Sequence, residues 1–117
     1  MVQKQWIFLQ NVAKLIQYAE QQGYMLTGGE LYRTADQHRI YMRNGQTQTT
    51  YSRHQDRLAI DLNLFIKGKY VTNTDIYKPL GDYWVSLHRL NRWGGDWNKN
   101  GVMLDERFPD GNHFEMM

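Results

Sequence analysis

The sequence predicts an α+β fold, and three observations carry that prediction. Residues 3–22 repeat apolar side chains every three or four positions, the period of an α-helix. Residues 58–65 alternate with period two, placing Leu58, Ile60, Leu62 and Leu64 on one face of a strand and Ala59, Asp61, Asn63 and Phe65 on the other. Gly- and Pro-marked turns separate the remaining short segments, with no internal repeat, linker or low-complexity tract. At 117 residues, the chain suits one domain spanning residues 1–117 around a single core.

Taken in order, the first helix carries Trp6, Leu9, Val12, Ala13, Ile16 and Ala19 on its expected apolar stripe, and Gly23 marks its end. "YMLTGGELYR" reads as two short strand pieces broken at Gly28-Gly29, and Thr34–Ile40 as one or two helical turns. Arg43–Tyr51 is polar and aperiodic, a surface loop. "IKGKY" turns the chain out of the Asp61 strand. Asn73, Thr74 or Asp75 then caps a helix whose first turn takes Pro79 and whose second half runs from Gly81 to Leu90. From Asn91 onward the chain is rich in Gly, Asn and Asp. Pro109-Asp110-Gly111 is a turn, and the last six residues alternate like a closing strand.

Composition excludes several chemistries. Hydrophobic residues make up 41% and aromatics 14%, which describes a folded protein with rings to spare for a groove. The absence of cysteine removes disulfides, thiolate nucleophiles and Cys-based metal sites. A net charge of +2 leans toward acidic polymers without choosing among them. No apolar run reaches the roughly 18 residues of a membrane span. The N-terminus lacks a signal-peptide pattern, so synthesis in a cytoplasm is expected.

The charged residue on the strand asks for a partner. An ionised Asp61 in a sheet is costly unless a cation or a hydrogen-bond donor meets it. His54 precedes it by seven residues, and a catalytic zinc site needs three protein ligands. His54 and Asp61 are two candidates, and His113 on the closing strand is the best third. Asp110, three residues before His113, brings a carboxylate within reach of the same site as a general base. His38 and His88 are other possible ligands, read instead as ordinary surface or half-buried residues. Glu115 shares a strand face with His113 and is a candidate to orient it.

These residues also carry a resemblance. "SRHQDRLAIDL" resembles the Ser-x-His-x-x-Gly-x-Ala-x-Asp motif of zinc D-alanyl-D-alanine carboxypeptidases and phage L-alanyl-D-glutamate peptidases, with Arg57 where the motif has Gly. "DGNHFE" is similar to their second motif, and "ELYRT" and "WGGDW" to further segments of the phage endolysin branch. The resemblance implies a small antiparallel sheet with flanking helices around a zinc site, as in the hedgehog and DD-peptidase group. It implies His54, Asp61 and His113 as zinc ligands and Asp110 as catalytic base, where the carboxypeptidase branch more often has Glu. Arg33 would steady the substrate or the oxyanion, and Ser52 would lie beside the substrate.

The expected activity is hydrolysis of the L-alanyl-D-glutamate bond of peptidoglycan stem peptides by a phage endolysin, with D-alanyl-D-alanine carboxypeptidase as the alternative. Such an enzyme would act on the wall after the membrane is permeabilised. It is expected to be a monomer, without nucleic-acid partners or membrane insertion. Trp93 and Trp97 are divided between core anchors and walls of a substrate groove, and Trp84 is read as structural. Other classes fit less well. No Gly-x-Ser-x-Gly elbow accompanies Ser52 and His54, and nothing marks Glu20, Glu30 or Asp36 as a glycosidase pair. A wall-binding module would explain the aromatics but not the ordered His/Asp set.

Overall fold

The strand carrying Asp61 is the axis of the molecule. A computed structural model describes residues 1–47, 51–99 and 109–117. The expected polar loop at 43–51 and the Gly/Asn/Asp-rich stretch after Asn91 lie partly outside these. β2 (Ala59–Ile66) pairs antiparallel with β1 (Met25–Gly28) on one side and with β5 (His113–Met116) on the other, and β5 pairs with β4 (Asn91–Trp93). β3 (Lys69–Tyr70) folds back on the end of β2. Helices α1 (Val2–Gln21), α2 (Ala35–Arg43) and α3 (Lys78–Leu87) flank this antiparallel sheet, so the α+β class is observed.

The period-two pattern sets the two faces of the sheet. Leu58, Leu62, Leu64, Phe114 and Met116 are buried on the core side. Phe8 of α1, Trp84 of α3 and Phe114 of β5 meet edge to face, with centroids 5.5 and 6.0 Å apart. Burying each such side chain contributes roughly 1.5–3 kcal/mol. The indole N–H of Trp84 donates to the Glu115 carbonyl at 3.0 Å, a structural role as expected. Among the described residues, no helix is long and apolar enough to cross a membrane.

Four local expectations are corrected. α1 forms where expected but buries Phe8, Val12, Leu15 and Ala19, leaving Trp6 and Leu9 60% and 56% exposed. The helix is apolar on two faces, and periodicity alone cannot say which one meets the sheet. The second strand piece of "YMLTGGELYR" is irregular, although Gly29 and Glu30 still exchange backbone hydrogen bonds with Asp61. α2 runs past Ile40 to Arg43, capped by the Thr34 hydroxyl, which accepts from the Gln37 N–H. α3 stops at Leu87 rather than Leu90, and residues 91–93, to which the sequence assigned no element, form β4.

Candidate metal centre

His54 reaches the site from a 3-10 turn, Arg53–Asp56, just before β2. Ser52 caps that turn: its Oγ accepts from the His54 N–H at 3.2 Å, and the Gln55 side chain accepts from the Ser52 N–H at 3.0 Å. The turn ends at Arg57, whose φ of 59° is left-handed. A glycine in the motif position suits this geometry without strain. Arg57 tolerates it and lays its guanidinium 4.0 Å from the centroid of Tyr32.

Strand register supplies the other two candidate ligands. Asp61 on β2 lies directly opposite His113 on β5, so both side chains leave the same face. His54, Asp61 and His113 each offer one donor atom, and these atoms lie within 4.8 Å of one another. Asp61 Oδ1 stands 3.4 Å from His54 Nε2 and 3.3 Å from His113 Nδ1. Neither contact has hydrogen-bond geometry, and Oδ1 has no hydrogen-bond partner among the described residues. A buried, unpartnered carboxylate oxygen between two imidazole nitrogens fits a cation, and two nitrogens with one oxygen suit zinc.

The far side of each ring is held. His54 Nδ1 lies 3.1 Å from the Leu31 carbonyl, and His113 Nε2 lies 2.8 Å from Glu115 Oε1. Each acceptor keeps the proton on the far nitrogen and turns the other nitrogen toward Asp61. Burial pushes the Asp61 carboxyl up, but His113 and His54 overcome this and hold it down at about 2. Burial pushes the His113 imidazole down, while Asp61 and Glu115 reverse that and raise it to about 9. For buried Glu115, His113 and Arg92 similarly outweigh desolvation and keep the carboxyl low.

Beside the triad opens a polar cleft of about 250 Å³ lined by Glu30, Arg33, Tyr41, Gln46, Asp61 and Asp110. Asp110 is exposed by surface area yet stands in the concave wall of this cleft. Burial against the cleft wall raises its carboxyl above the ordinary value. The "WGG" segment positions it. A side chain at Gly94 would put its Cβ 2.1 Å from the Asp110 carbonyl oxygen, and the Asp110 N–H donates to the Gly94 carbonyl at 2.8 Å. Arg33 is 11% exposed, paired with Glu30 at 2.6 Å and touching His38 Nδ1 at 3.0 Å. His38 is therefore buried, against the surface or half-buried expectation, and it braces Arg33 rather than joining the triad.

The two tryptophans separate. Trp93 is 1% exposed, donates to the Gly111 carbonyl at 2.7 Å and fits between Gly81 and Gly95. That burial corrects its placement on a substrate groove, because no substrate atom can reach it. Trp97 is half-buried with its ring 5.2 Å from His113. Sequence reasoning missed Tyr41, Gln46 and Arg92 altogether and gave Glu30 no part here. Only Glu30 had a local signal, three residues before Arg33.

No curated protein matches the chain. A solved structure, the L-Ala D-Glu endopeptidase ChiX of Serratia marcescens, shares the fold with a TM-score of 0.72 and 22% identity, covering 94% of this chain and 77% of that one. The family model for the phage L-alanyl-D-glutamate peptidase matches residues 5–117. With that match spanning nearly the whole chain, this protein belongs to the phage L-alanyl-D-glutamate peptidase family.

Proposed function

We propose that this peptidase is a zinc enzyme that hydrolyses the L-alanyl-D-glutamate bond of peptidoglycan stem peptides as a phage endolysin. The observation that carries the reading is the convergence of His54, Asp61 and His113 on an unpartnered carboxylate oxygen at the edge of a cleft containing Asp110 and Arg33. Zinc held by those three residues would supply a Lewis acid for the scissile carbonyl and lower the pKa of an attacking water.

The chain's own groups do the rest. Asp110 takes the proton of the attacking water and returns it to the departing amine of D-glutamate. A carboxyl raised above its ordinary value suits that exchange better than an unperturbed one. Arg33 brings positive charge to the cleft wall for the substrate's carboxylates and the developing oxyanion, while Glu30 and His38 fix its direction. Ser52 holds the His54 turn and stands at the substrate's side, and Trp97 forms the wall next to His113. The enzyme acts as a monomer, made in the host cytoplasm and reaching the wall once the membrane is permeabilised.

Mass spectrometry of purified peptidoglycan digested with and without a chelator tests this. Stem peptides beginning at D-glutamate, lost on chelation and restored by zinc, are expected. Release of single D-alanine would instead indicate a carboxypeptidase, and cleavage indifferent to chelation would remove zinc from the mechanism.

A further inference from the structure

Behind His113 the sheet builds a row of side chains that the cleavage chemistry does not use directly. His113 and Glu115 are two apart on β5 and leave the same face, and Arg92 on β4 is the register partner of Glu115. Asp61, His113, Glu115 and Arg92 therefore run in line across β2, β5 and β4. Glu115 is 4% exposed and shares its two oxygens: Oε1 meets His113 Nε2 at 2.8 Å, and Oε2 accepts from Arg92 Nε and Nη2 at 3.0 and 2.6 Å. The Arg92 guanidinium lies 5.4 Å from the Trp97 centroid, and Trp97 in turn packs 5.2 Å from His113.

We propose that Glu115 and Arg92 are positioning residues that fix the ring of His113 with Nδ1 directed at the metal site. The proposal rests on the metal reading above. A carboxylate only accepts hydrogen bonds, so Glu115 keeps the hydrogen of a neutral imidazole on Nε2 and leaves the Nδ1 lone pair facing Asp61. Arg92, by a two-pronged grip on the other oxygen, stops Glu115 from rotating away from the ring. The two candidate His ligands thus differ in kind. His54 is oriented by the backbone carbonyl of Leu31, which no side-chain substitution removes. The orientation of His113 is written in two side chains and is open to mutation.

Zinc affinity, measured by competition with a chromophoric chelator in the absence of substrate, tests the idea. Glu115→Ala is expected to weaken zinc binding about 10- to 100-fold, the usual loss when such a partner of a metal-bound His is removed. Glu115→Gln, which keeps an acceptor oxygen, should recover most of that loss. Arg92→Met should weaken binding in the same direction, by about tenfold. Ring nitrogen shifts of His113 in the zinc-loaded protein should report Nδ1 coordination in the wild type and its partial loss in Glu115→Ala. Arg92 is about one-third exposed on its side chain, so Arg92→Met folds and decides the matter should Glu115→Ala fail to fold. Wild-type affinity in folded Arg92→Met or Glu115→Ala overturns the proposal. A wild type that binds no zinc overturns the metal reading itself. Variants that lose affinity in a protein that cuts no peptidoglycan leave the proposal standing and remove the substrate.

Discussion

Replacing Gly94 with Ala should disable the peptidase without emptying its candidate metal site. The added Cβ would sit 2.1 Å from the Asp110 carbonyl oxygen and 3.1 Å from the Asp110 Cβ. Restoring ordinary contact near 3.4 Å requires Asp110 and Gly94 to part by about 1.3 Å. That movement breaks or stretches the 2.8 Å hydrogen bond from the Asp110 N–H to the Gly94 carbonyl, and it carries the carboxylate with it. A misplacement of about 1 Å in a catalytic group costs on the order of a hundredfold in rate, or about 2.7 kcal/mol of transition-state stabilisation. Overpacking adds about 1–3 kcal/mol of lost stability. The assay is kcat/KM on a soluble stem peptide, read beside the zinc-to-protein ratio and the melting temperature. Zinc content should fall far less than activity: the His113 carbonyl accepts from the Gly94 N–H and its N–H donates to the Asp110 carbonyl, but its register with Asp61 and its contact with Glu115 hold it as well. Gly28→Ala serves as the control, since its Cβ would meet nothing within 4 Å. Activity within threefold of wild type and an unchanged melting temperature would refute the positioning of Asp110 by Gly94. Activity and zinc lost together would assign the damage to His113.

Three further outcomes are expected. Arg57 occupies a left-handed backbone position with φ 59°, so Arg57→Gly should be more stable than Arg57→Ala by about 1 kcal/mol in denaturant titration; both lose the contact with Tyr32, and equal stabilities would refute the strain. Asp110 carries a raised carboxyl, a cost to the folded state once ionised, so Asp110→Asn should abolish turnover yet make the metal-free protein more stable at neutral pH; that gain should vanish below the ordinary value of 3.8, and a loss of stability at neutral pH would contradict it. Zinc bound as proposed would displace a proton from His113, whose imidazole is raised from 6.5 to about 9, so apparent zinc affinity should climb about tenfold per pH unit and level off above pH 9; an affinity flat between about pH 6 and pH 8 would contradict this. The same raised value means that the metal-free protein draws its full benefit from the His113 pairings below pH 6.5 and loses it as pH rises through 9.

The candidate triad was legible because its parts are tied to local patterns. A strand announces which residues share a face, so Asp61 stood out as a carboxylate needing a partner. The His54 and His113 segments resemble family motifs short enough to be recognised without a structure. Arg33 and Asp110 were legible in the same way. The bracing of Arg33 by His38 was not, because its contact crosses from an irregular segment to a helix. Trp93 and Trp97 show the limit clearly. Four residues apart in one Gly-rich segment, one sits in the core against Gly81 and the other at the wall beside His113.

The sequence by itself determined the class of fold, the strand that carries Asp61, the positions of most elements and the identity of the candidate ligands. These follow from hydrophobic period, turn chemistry and short motifs, all of which act over a few neighbouring residues. Only the tertiary structure decided which face of α1 is buried, that residues 91–93 form a strand, and that Arg92 and Glu115 stand behind His113. Each of these depends on strand register or helix docking between segments far apart in the chain. A three-residue strand has too little alternation to declare itself, and a helix apolar on two faces is oriented only by what it packs against.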